Sequence, residues 1–428
     1  MSFMRWIYSI CFPLIFLAFL PGLIYKLIRR PGWKATFGER FGFFSADRRK
    51  EFADFHGCIW IHAVSVGETM IALELLKKYQ KACPNRKFVL STTTTTGQAL
   101  ARDKVPENVP VIFCPLDFSF AVNRALNLLR PGLLVIFETE IWPNLICFSR
   151  KRGIPVALVN ARMSDHSSRG YYRMRCFFRP LLQQFSVIAA QSQADADRFL
   201  KVSPHANVKV TGNLKFDQSI PADLQGIDYS QYFRSDHPRV LLAASTHPNE
   251  ELFILGVYTK LRKKYPDLHL VIVPRHAERG AEIATLLENT EFSYLRRSKN
   301  TEAQSPVDIL LADTTGEMLK LMKNADVVIM GKSLAGNDEG HNLIEPALLE
   351  KPIVCGSVLR NFRFLLDVLR NADAVRTADT EEELFDTLDT LFADDNLRAS
   401  LGKRAGAAVN VHAGATNKII TLLEETIQ

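Results

Sequence analysis

The chain has 428 residues, 47% of them hydrophobic, a formal net charge of +7 and seven cysteines. That length exceeds one ordinary core, so two domains of similar size are expected, and the apolar content argues against a disordered chain. Cys11, Cys58, Cys83, Cys114, Cys147, Cys176 and Cys355 form no CxxC and no zinc spacing, so they suit reduced thiols in a cytosolic compartment, while the positive charge asks for an anionic partner.

Residues 6–28, WIYSICFPLIFLAFLPGLIYKLI, are apolar for nearly their whole length, with Arg5 before them and Lys26, Arg29, Arg30 and Lys34 at or beyond their end. A bilayer takes about 20 apolar residues to span, and this run just reaches that. No small-residue cleavage site follows, which argues against a signal peptide. The excess of Lys and Arg on the C-terminal side places the body of the chain in the cytoplasm. Pro13 and Pro21 leave two forms open, a spanning helix and a kinked helix lying in one leaflet. Residues 1–34 are therefore expected to be a membrane anchor with a basic flank, on which neither core depends. The segment TFGERFGFF (36–44) follows and suits acidic headgroups, at about 1 kcal/mol per Lys or Arg.

Strands and helices then alternate. Apolar, β-branched runs predict strands at 58–64, 87–93, 111–114, 133–137, 155–159 and 187–190, with helices such as 118–129 and 193–200 between them. Such alternation means a parallel sheet covered on both faces. Residues 216–238 carry Asp217, Pro221, Asp223, Gly226, Asp228 and Asp236 with little periodicity and are expected to be a linker. A second set predicts strands at 240–244, 269–273, 309–312, 327–330 and 353–355, then helices at 381–392 and 397–427. The fold class is α/β: two Rossmann-like, doubly wound domains, residues 35–215 and 239–428, expected to face one another across a cleft.

Ligands of such sheets collect at the carboxyl ends of the strands, so the turns there are the candidate sites. The first strand runs through Ser65-Val66-Gly67-Glu68 into a helix. Glu68 is either a first-turn acid favoured by the helix dipole or a general base at the mouth of a cleft. Glu138 and Glu140 in ETEIWPN leave another strand end, although Pro143 in the first helical turn also fits a pair of helix-start acids. Lys215 in TGNLKFD is either a solvated lysine or one presented to the cleft. Arg162, Arg169, Arg173, Arg175 and Arg179 crowd with Tyr171, Tyr172, Phe177 and Phe178 into a basic aromatic surface suited to lipid phosphates. With a membrane anchor in the same chain, nucleic acid is not an expected partner.

The second half carries ASTHPNEE (244–251), PRHAER (274–279), DTTGEM (313–318) and GKSLAGNDEGHNLIEP (331–346). Each is a polar turn at a strand end, able to take an anion on backbone N–H groups and hydroxyls. Arg275, beside His276, adds a planar fork for phosphate. No D-x-D, HExxH or His/Cys cluster is present, so no metal and no other cofactor are expected.

Taken in order, SVGE, ETEIWPN, NARMS, GNLKFD, STHPNEE, PRHAER, DTTGEM and GHNLIEP, with the N-terminal apolar run and FGERFG, resemble the 3-deoxy-D-manno-octulosonic acid (Kdo) transferases of lipopolysaccharide assembly. The resemblance covers essentially the whole chain. It implies the two-Rossmann GT-B glycosyltransferase fold and an inverting transfer of Kdo from CMP-Kdo to the lipid A precursor, at the cytoplasmic face of the inner membrane. It also implies Glu68 as the catalytic base, with Glu138 and Lys215 as transition-state stabilisers. CMP contacts are implied at Pro274, Arg275, Thr315, Gly316, Glu317, Asn342, Leu343, Ile344 and Glu345.

One loop departs from the pattern: the family has glycine pairs where this chain has Gly331-Lys332-Ser333 and Glu339-Gly340. In the implied mechanism Glu68 takes the proton of an acceptor hydroxyl as that oxygen attacks the anomeric carbon opposite CMP. Arg275 and Lys215 would offset the charges of the leaving group and the sugar carboxylate. Two rivals remain: a membrane-bound UDP-sugar transferase of the same fold, and a non-enzymatic membrane-tethered sensor that Glu68→Ala would leave intact.

Overall fold

The computed structural model describes residues 6–14, 16–18, 33–218, 220–233, 235, 237–299 and 305–427. It divides into two compact units, Met1–Asp217 with Ala413–Gln428, and Gln218–His412.

The first unit holds seven parallel strands: β1 (Ile59–Ala63), β2 (Phe88–Thr92), β3 (Val111–Phe113), β4 (Leu133–Phe137), β5 (Val156–Ala161), β6 (Val187–Ala190) and β7 (Val208–Val210). Their order is β3-β2-β1-β4-β5-β6-β7. Strands β1 to β6 are buried along their length. Successive residues feed opposite layers, Trp60 packing on one face while Ile59 and Ile61 pack on the other. Burial on both faces is why these strands read as continuous apolar runs. The order reverses between β1 and β4, and a doubly wound sheet opens its ligand crevice at that switch.

The second unit repeats the plan with β8 (Arg239–Thr246), β9 (Leu268–Pro274), β10 (Tyr294–Arg296), β11 (Ile309–Leu311), β12 (Val327–Met330), β13 (Ile353–Cys355) and β14 (Arg376–Thr377). Its order is β10-β11-β9-β8-β12-β13-β14, all pairs parallel, with the switch between β8 and β12. Three strands were not expected from the sequence: β7, β10 and β14. All three lie at sheet edges, where most of their residues are only partly buried or exposed. An edge strand has one neighbour and needs no long apolar run.

Two expected boundaries move. Residues 216–238 are not a free linker. Phe216 is buried in the first unit, whereas Tyr229, Tyr232 and Phe233 are buried in the second. There Phe233 stacks on His269 at 4.2 Å and the Tyr229 hydroxyl donates to the Leu321 carbonyl at 2.8 Å. Nor does the second domain run to the C-terminus. The helix expected over 397–427 breaks at Gly414 (φ 96°) into Asp395–Val411 and Ala415–Ile427, and the latter belongs to the first unit. Its Ile419, Ile420 and Leu423 join the layer that contains Ile59 and Ile61. Glu424 accepts from the Tyr79 hydroxyl (2.7 Å) and pairs with Arg86 (2.7 Å). The helix start is capped by Asp217, whose carboxylate accepts from the N–H groups of Gly414, Ala415 and Thr416.

Of the anchor expected over 6–28, residues 6–14 and 16–18 are helical, and residues 15 and 19–28 lie outside the described residues. Among the described residues no helix is long and apolar enough to cross a membrane. The described turns pack on the globular core. Phe12 and Phe16 each meet the Phe118 ring edge-on at 5.1 Å, and Phe16 meets Phe41 at 6.4 Å. The opposite face leaves Trp6, Ile7, Ile10, Leu14 and Leu17 exposed.

Candidate active site

In the first unit both turns at the switch carry carboxylates. Ser65 is the N-cap of the helix Val66–Ala82, and its Oγ accepts from the Glu68 N–H at 3.3 Å. Glu68 returns the interaction: its carboxylate accepts from the Ser65 hydroxyl at 2.8 Å and from the Val64 N–H at 3.0 Å. This is a capping box reaching one residue further back than usual. The side chain, 9% exposed, is therefore aimed back over the end of β1. The first-turn acid expected here is therefore present, and it closes the helix at the strand end where the sheet order reverses.

Glu138 follows β4 directly, with a left-handed backbone (φ 55°) that costs a non-glycine residue about 1 kcal/mol. Its carboxylate is 7% exposed and accepts from Arg162 Nε (3.0 Å) and Nη2 (2.9 Å), which pin it in place. Arg162 is thus tied to the acidic turn. Glu140, two residues on, has no ion-pair partner among the described residues. Burial, then the charges of Glu68 and Glu138, push its carboxyl up to about 7. The Trp142 indole N–H, beside it without a well-formed hydrogen bond, works the other way. Glu140 thus feels the charges of Glu68 and Glu138, and of the three only Glu138 has an ion-pair partner among the described residues.

Lys215 lies half-buried on the 3-10 turn Leu214–Asp217. The turn is tied at both ends. Asp217 caps the C-terminal helix, and the Leu214 N–H donates to Asn160 Oδ1 at 3.0 Å. Asn160, buried at the end of β5 with φ 51°, carries Lys215 to the strand next to β4. Sequence reading passed over Asn160 and Asp217. A clue was available for Asn160, since asparagine is among the few residues that tolerate the left-handed region.

The basic aromatic stretch 162–179 is largely absorbed by packing. Tyr171 stacks on Phe178 at 3.9 Å, and both rings and Phe177 pack on the core. Tyr172 and Met174 remain exposed, with Arg175 over the Tyr172 ring.

In the second unit the switch turns were expected to offer an anion their backbone N–H groups. They already hold one. The carboxylate of Glu250, fully buried, accepts from the N–H groups of His247 (2.9 Å), Lys332 (2.8 Å), Ser333 (2.8 Å) and Leu334 (2.8 Å). Glu251 accepts from the Thr246 hydroxyl (2.6 Å) and from Arg279 (2.7 and 3.1 Å). The turn after β8 and the loop after β12 are thus stitched together by an internal anion. Lys332 stands in that loop at φ 60°, a conformation in which the family's glycine would be unstrained. Its ammonium pairs with Glu339 at 2.6 Å.

The remaining turns leave one cation over. Arg279 is taken by Glu251 and Glu282, Arg296 by Asp313, and Arg297 by Glu317. Arg275, exposed and following Pro274 at the end of β9, forms no ion pair among the described residues. Its charge is felt by two groups of the 341–345 turn. Burial raises the Glu345 carboxyl, with Arg275 pulling the other way, and Arg275 helps burial and His247 hold the His341 imidazole down at about 4. His247 and His341 meet at 3.1 Å through their Nε2 atoms. At neutral pH His341 is therefore a neutral hydrogen-bonding group beside a free guanidinium.

Of the other expected donor contacts, Thr315 and Gly316 are exposed, with Gly316 at φ 87°. Glu317 is held by Arg297 (2.7 and 2.8 Å) and the Thr314 hydroxyl, which keep it ionised down to about 2. Asn342 folds its Oδ1 onto the Ile344 N–H at 3.1 Å. Leu343 and Ile344 have 0% and 1% exposure, so only their backbones remain for a ligand.

Three comparisons complete the site. Residues 35–218 match the family described as 3-deoxy-D-manno-octulosonic-acid transferase (kdotransferase). The 3-deoxy-D-manno-octulosonic acid transferase of Haemophilus influenzae is 32% identical over 98% of this chain and 97% of its own length. Among solved structures, a glycosyltransferase from Rickettsia africae superposes with a TM-score of 0.56 over 87% of this chain and 99% of that one, at 12% identity. The UDP-GlcNAc 2-epimerase of Neisseria meningitidis gives 0.57 over 86% of this chain and 99% of that one, at 14% identity. A transferase and an epimerase sharing these two parallel-sheet units agree on a GT-B type of fold and leave the chemistry to the turns.

Proposed function

Because the chain belongs to the 3-deoxy-D-manno-octulosonic acid transferases, we propose that it moves Kdo from CMP-Kdo onto the lipid A precursor with inversion at the anomeric carbon. The observation that carries this reading is the group of Glu68, Glu138 and Glu140 at the first sheet's switch, where only Glu138 has an ion-pair partner among the described residues and burial, then the charges of Glu68 and Glu138, push Glu140 up to about 7. A site so short of positive charge favours taking up a proton, which is what an attacking hydroxyl must give away.

Glu68 accepts that proton while the acceptor oxygen bonds to the anomeric carbon. The bond from that carbon to the phosphate oxygen breaks, and its electron pair leaves with CMP. Lys215 and Glu138 border the same region, and Glu138 is held ready by Arg162. On the donor side the free guanidinium of Arg275 suits the nucleotide phosphate, and the neutral His341 beside it suits a hydrogen bond. The stitched loop at Glu250 supports the nucleotide site from behind and takes no phosphate itself. No metal or other cofactor has a part in this reading.

Membrane association belongs to the same proposal. The outer face of residues 6–17 presents Trp6, Ile7, Ile10, Leu14 and Leu17, and Phe43 and Phe120 are exposed on the same unit with Arg124 over their rings. An apolar stripe whose opposite face packs on the protein suits a helix lying in one leaflet, on the cytoplasmic side of the inner membrane. Incubating the purified protein with CMP-Kdo and the lipid A precursor should add the mass of Kdo to the acceptor. Transfer from a UDP-sugar, with none from CMP-Kdo, would overturn the donor assignment in favour of the UDP-dependent reading.

A further inference from the structure

Two polar residues interrupt the inner face of the N-terminal helix. Ser9 Oγ donates to Asn144 Oδ1 at 3.0 Å, and the Tyr8 hydroxyl lies in the field of Asp117, where burial and then that carboxylate push its pKa up. Neither contact is needed for an apolar tether. Both end on the same device.

The helix Pro143–Lys151 begins three residues after Glu140, and its N-cap residue, Trp142, offers no side-chain cap. Asp117, from the loop after β3, supplies one instead. Its Oδ2 accepts from the Asn144 N–H at 2.9 Å and its Oδ1 from the Leu145 N–H at 2.8 Å. Asn144 Nδ2 donates back to the Asp117 carbonyl at 2.7 Å. Asp117 is 1% exposed and has no ion-pair partner among the described residues, and burial pushes its carboxyl up to about 7 against the pull of these donors and of Tyr8. Each donor removed leaves a buried carboxylate less well satisfied and the cap weaker. Glu138, Glu140 and Trp142 lie on the short link between β4 and this helix, so their placement depends on how firmly the helix start is held.

We propose that Tyr8 and Ser9 are positioning residues of the acidic site: through Asp117 and Asn144 they fix the start of the helix that follows Glu140, which makes the N-terminal helix part of the site and not a leash. The proposal rests on the reading of that cluster as the acceptor side of the transfer. It follows that seating the outer face on lipid, by immobilising the helix, steadies the site as well as bringing it to its substrate.

The test uses the full chain in detergent, with Tyr8→Phe and Ser9→Ala combined, a water-soluble acceptor lacking acyl chains, and CMP as the donor-site probe. Turnover should fall on the order of tenfold while CMP affinity by calorimetry stays within twofold. Hydrogen exchange at the Asn144 and Leu145 amides should quicken about tenfold, with the helix Val66–Ala82 unchanged. The outer-face pair Leu14→Ser with Leu17→Ser should lose vesicle binding yet keep more soluble-acceptor turnover than the inner-face pair. Unchanged exchange at Asn144 and Leu145 would overturn the proposal without touching the functional reading, because that measurement involves no catalysis. So would a loss of turnover matched by an equal loss of CMP affinity, which signals general destabilisation. A wild-type protein that transfers no Kdo would instead sink the reading beneath it.

Discussion

The two switch regions solve opposite electrostatic problems. In the first unit the turns after β1 and β4 bring Glu68, Glu138 and Glu140 within reach of one another's charge, and only Glu138 has an ion-pair partner among the described residues, Arg162. In the second, the turns after β8 and β12 spend their backbone donors on Glu250, and the turn after β9 spends Arg279 on Glu251 while its Arg275 forms no ion pair among the described residues. One site is short of positive charge and raises a carboxyl toward neutrality; the other satisfies its own acids and keeps a cation in reserve. The same fold thus arranges the charges at its strand ends differently in its two halves. What separates them is which side chains the turns consume internally.

The comparison breaks most sharply at Glu68. Glu68→Gln keeps the shape and the two cap contacts in reach but removes the proton acceptor, so turnover should fall on the order of 100-fold or more with CMP affinity little altered. Its melting temperature should drop only by what a weakened cap costs, about 1 kcal/mol. A variant keeping a third or more of wild-type turnover would move the base elsewhere in the cluster.

Two neighbouring arginines should then separate binding from stability. Arg279→Ala leaves the buried carboxylate of Glu251 without its bidentate partner and should cost about 2 kcal/mol in denaturant melts. Arg275→Ala should leave the melts alone and weaken CMP binding on the order of tenfold, with Arg275→Lys restoring part of it, because the planar fork is lost. Equal effects of the two alanine variants on stability would erase the distinction drawn between a consumed and a reserved cation.

Glu140→Gln tests the charge-starved side. The carboxyl of Glu140 sits above its ordinary value in the folded protein, so its contribution to stability is complete at pH below about 4.5 and is lost as pH rises through about 7. Replacing it should remove that decline and leave the variant more stable than wild type at pH 8, on the order of 1 kcal/mol given its partial exposure. The pH dependence of turnover should lose its limb near 7 in the same variant. Persistence of both features would assign the limb to another group.

The smallest effect is expected at Lys332. Lys332→Gly relieves a left-handed backbone while forfeiting an exposed ion pair with Glu339, so melts should show a gain of up to about 1 kcal/mol and no loss.

The sequence by itself determined the alternation, the two parallel sheets and the turns that matter. Interior strands are buried on both faces, and that leaves apolar runs nothing else resembles. A strand end followed by Ser, Gly and Glu marks a turn wherever it occurs. Glu68, Glu138, Glu140 and Arg275 were all visible on those grounds. Only the tertiary structure decided what each of them has left to offer. Three of the four partners of Glu250 lie about eighty residues further along the chain, Asp217 caps a helix roughly two hundred residues away, and Ser9 reaches Asn144 across 135 positions. Local patterning carries no trace of such pairings, because a hydrogen-bonding group has the same sequence signature whether it is committed or free. The edge strands, the return of the last helix to the first unit and the docking of the N-terminal helix were hidden for the same reason: each depends on a surface assembled from distant segments.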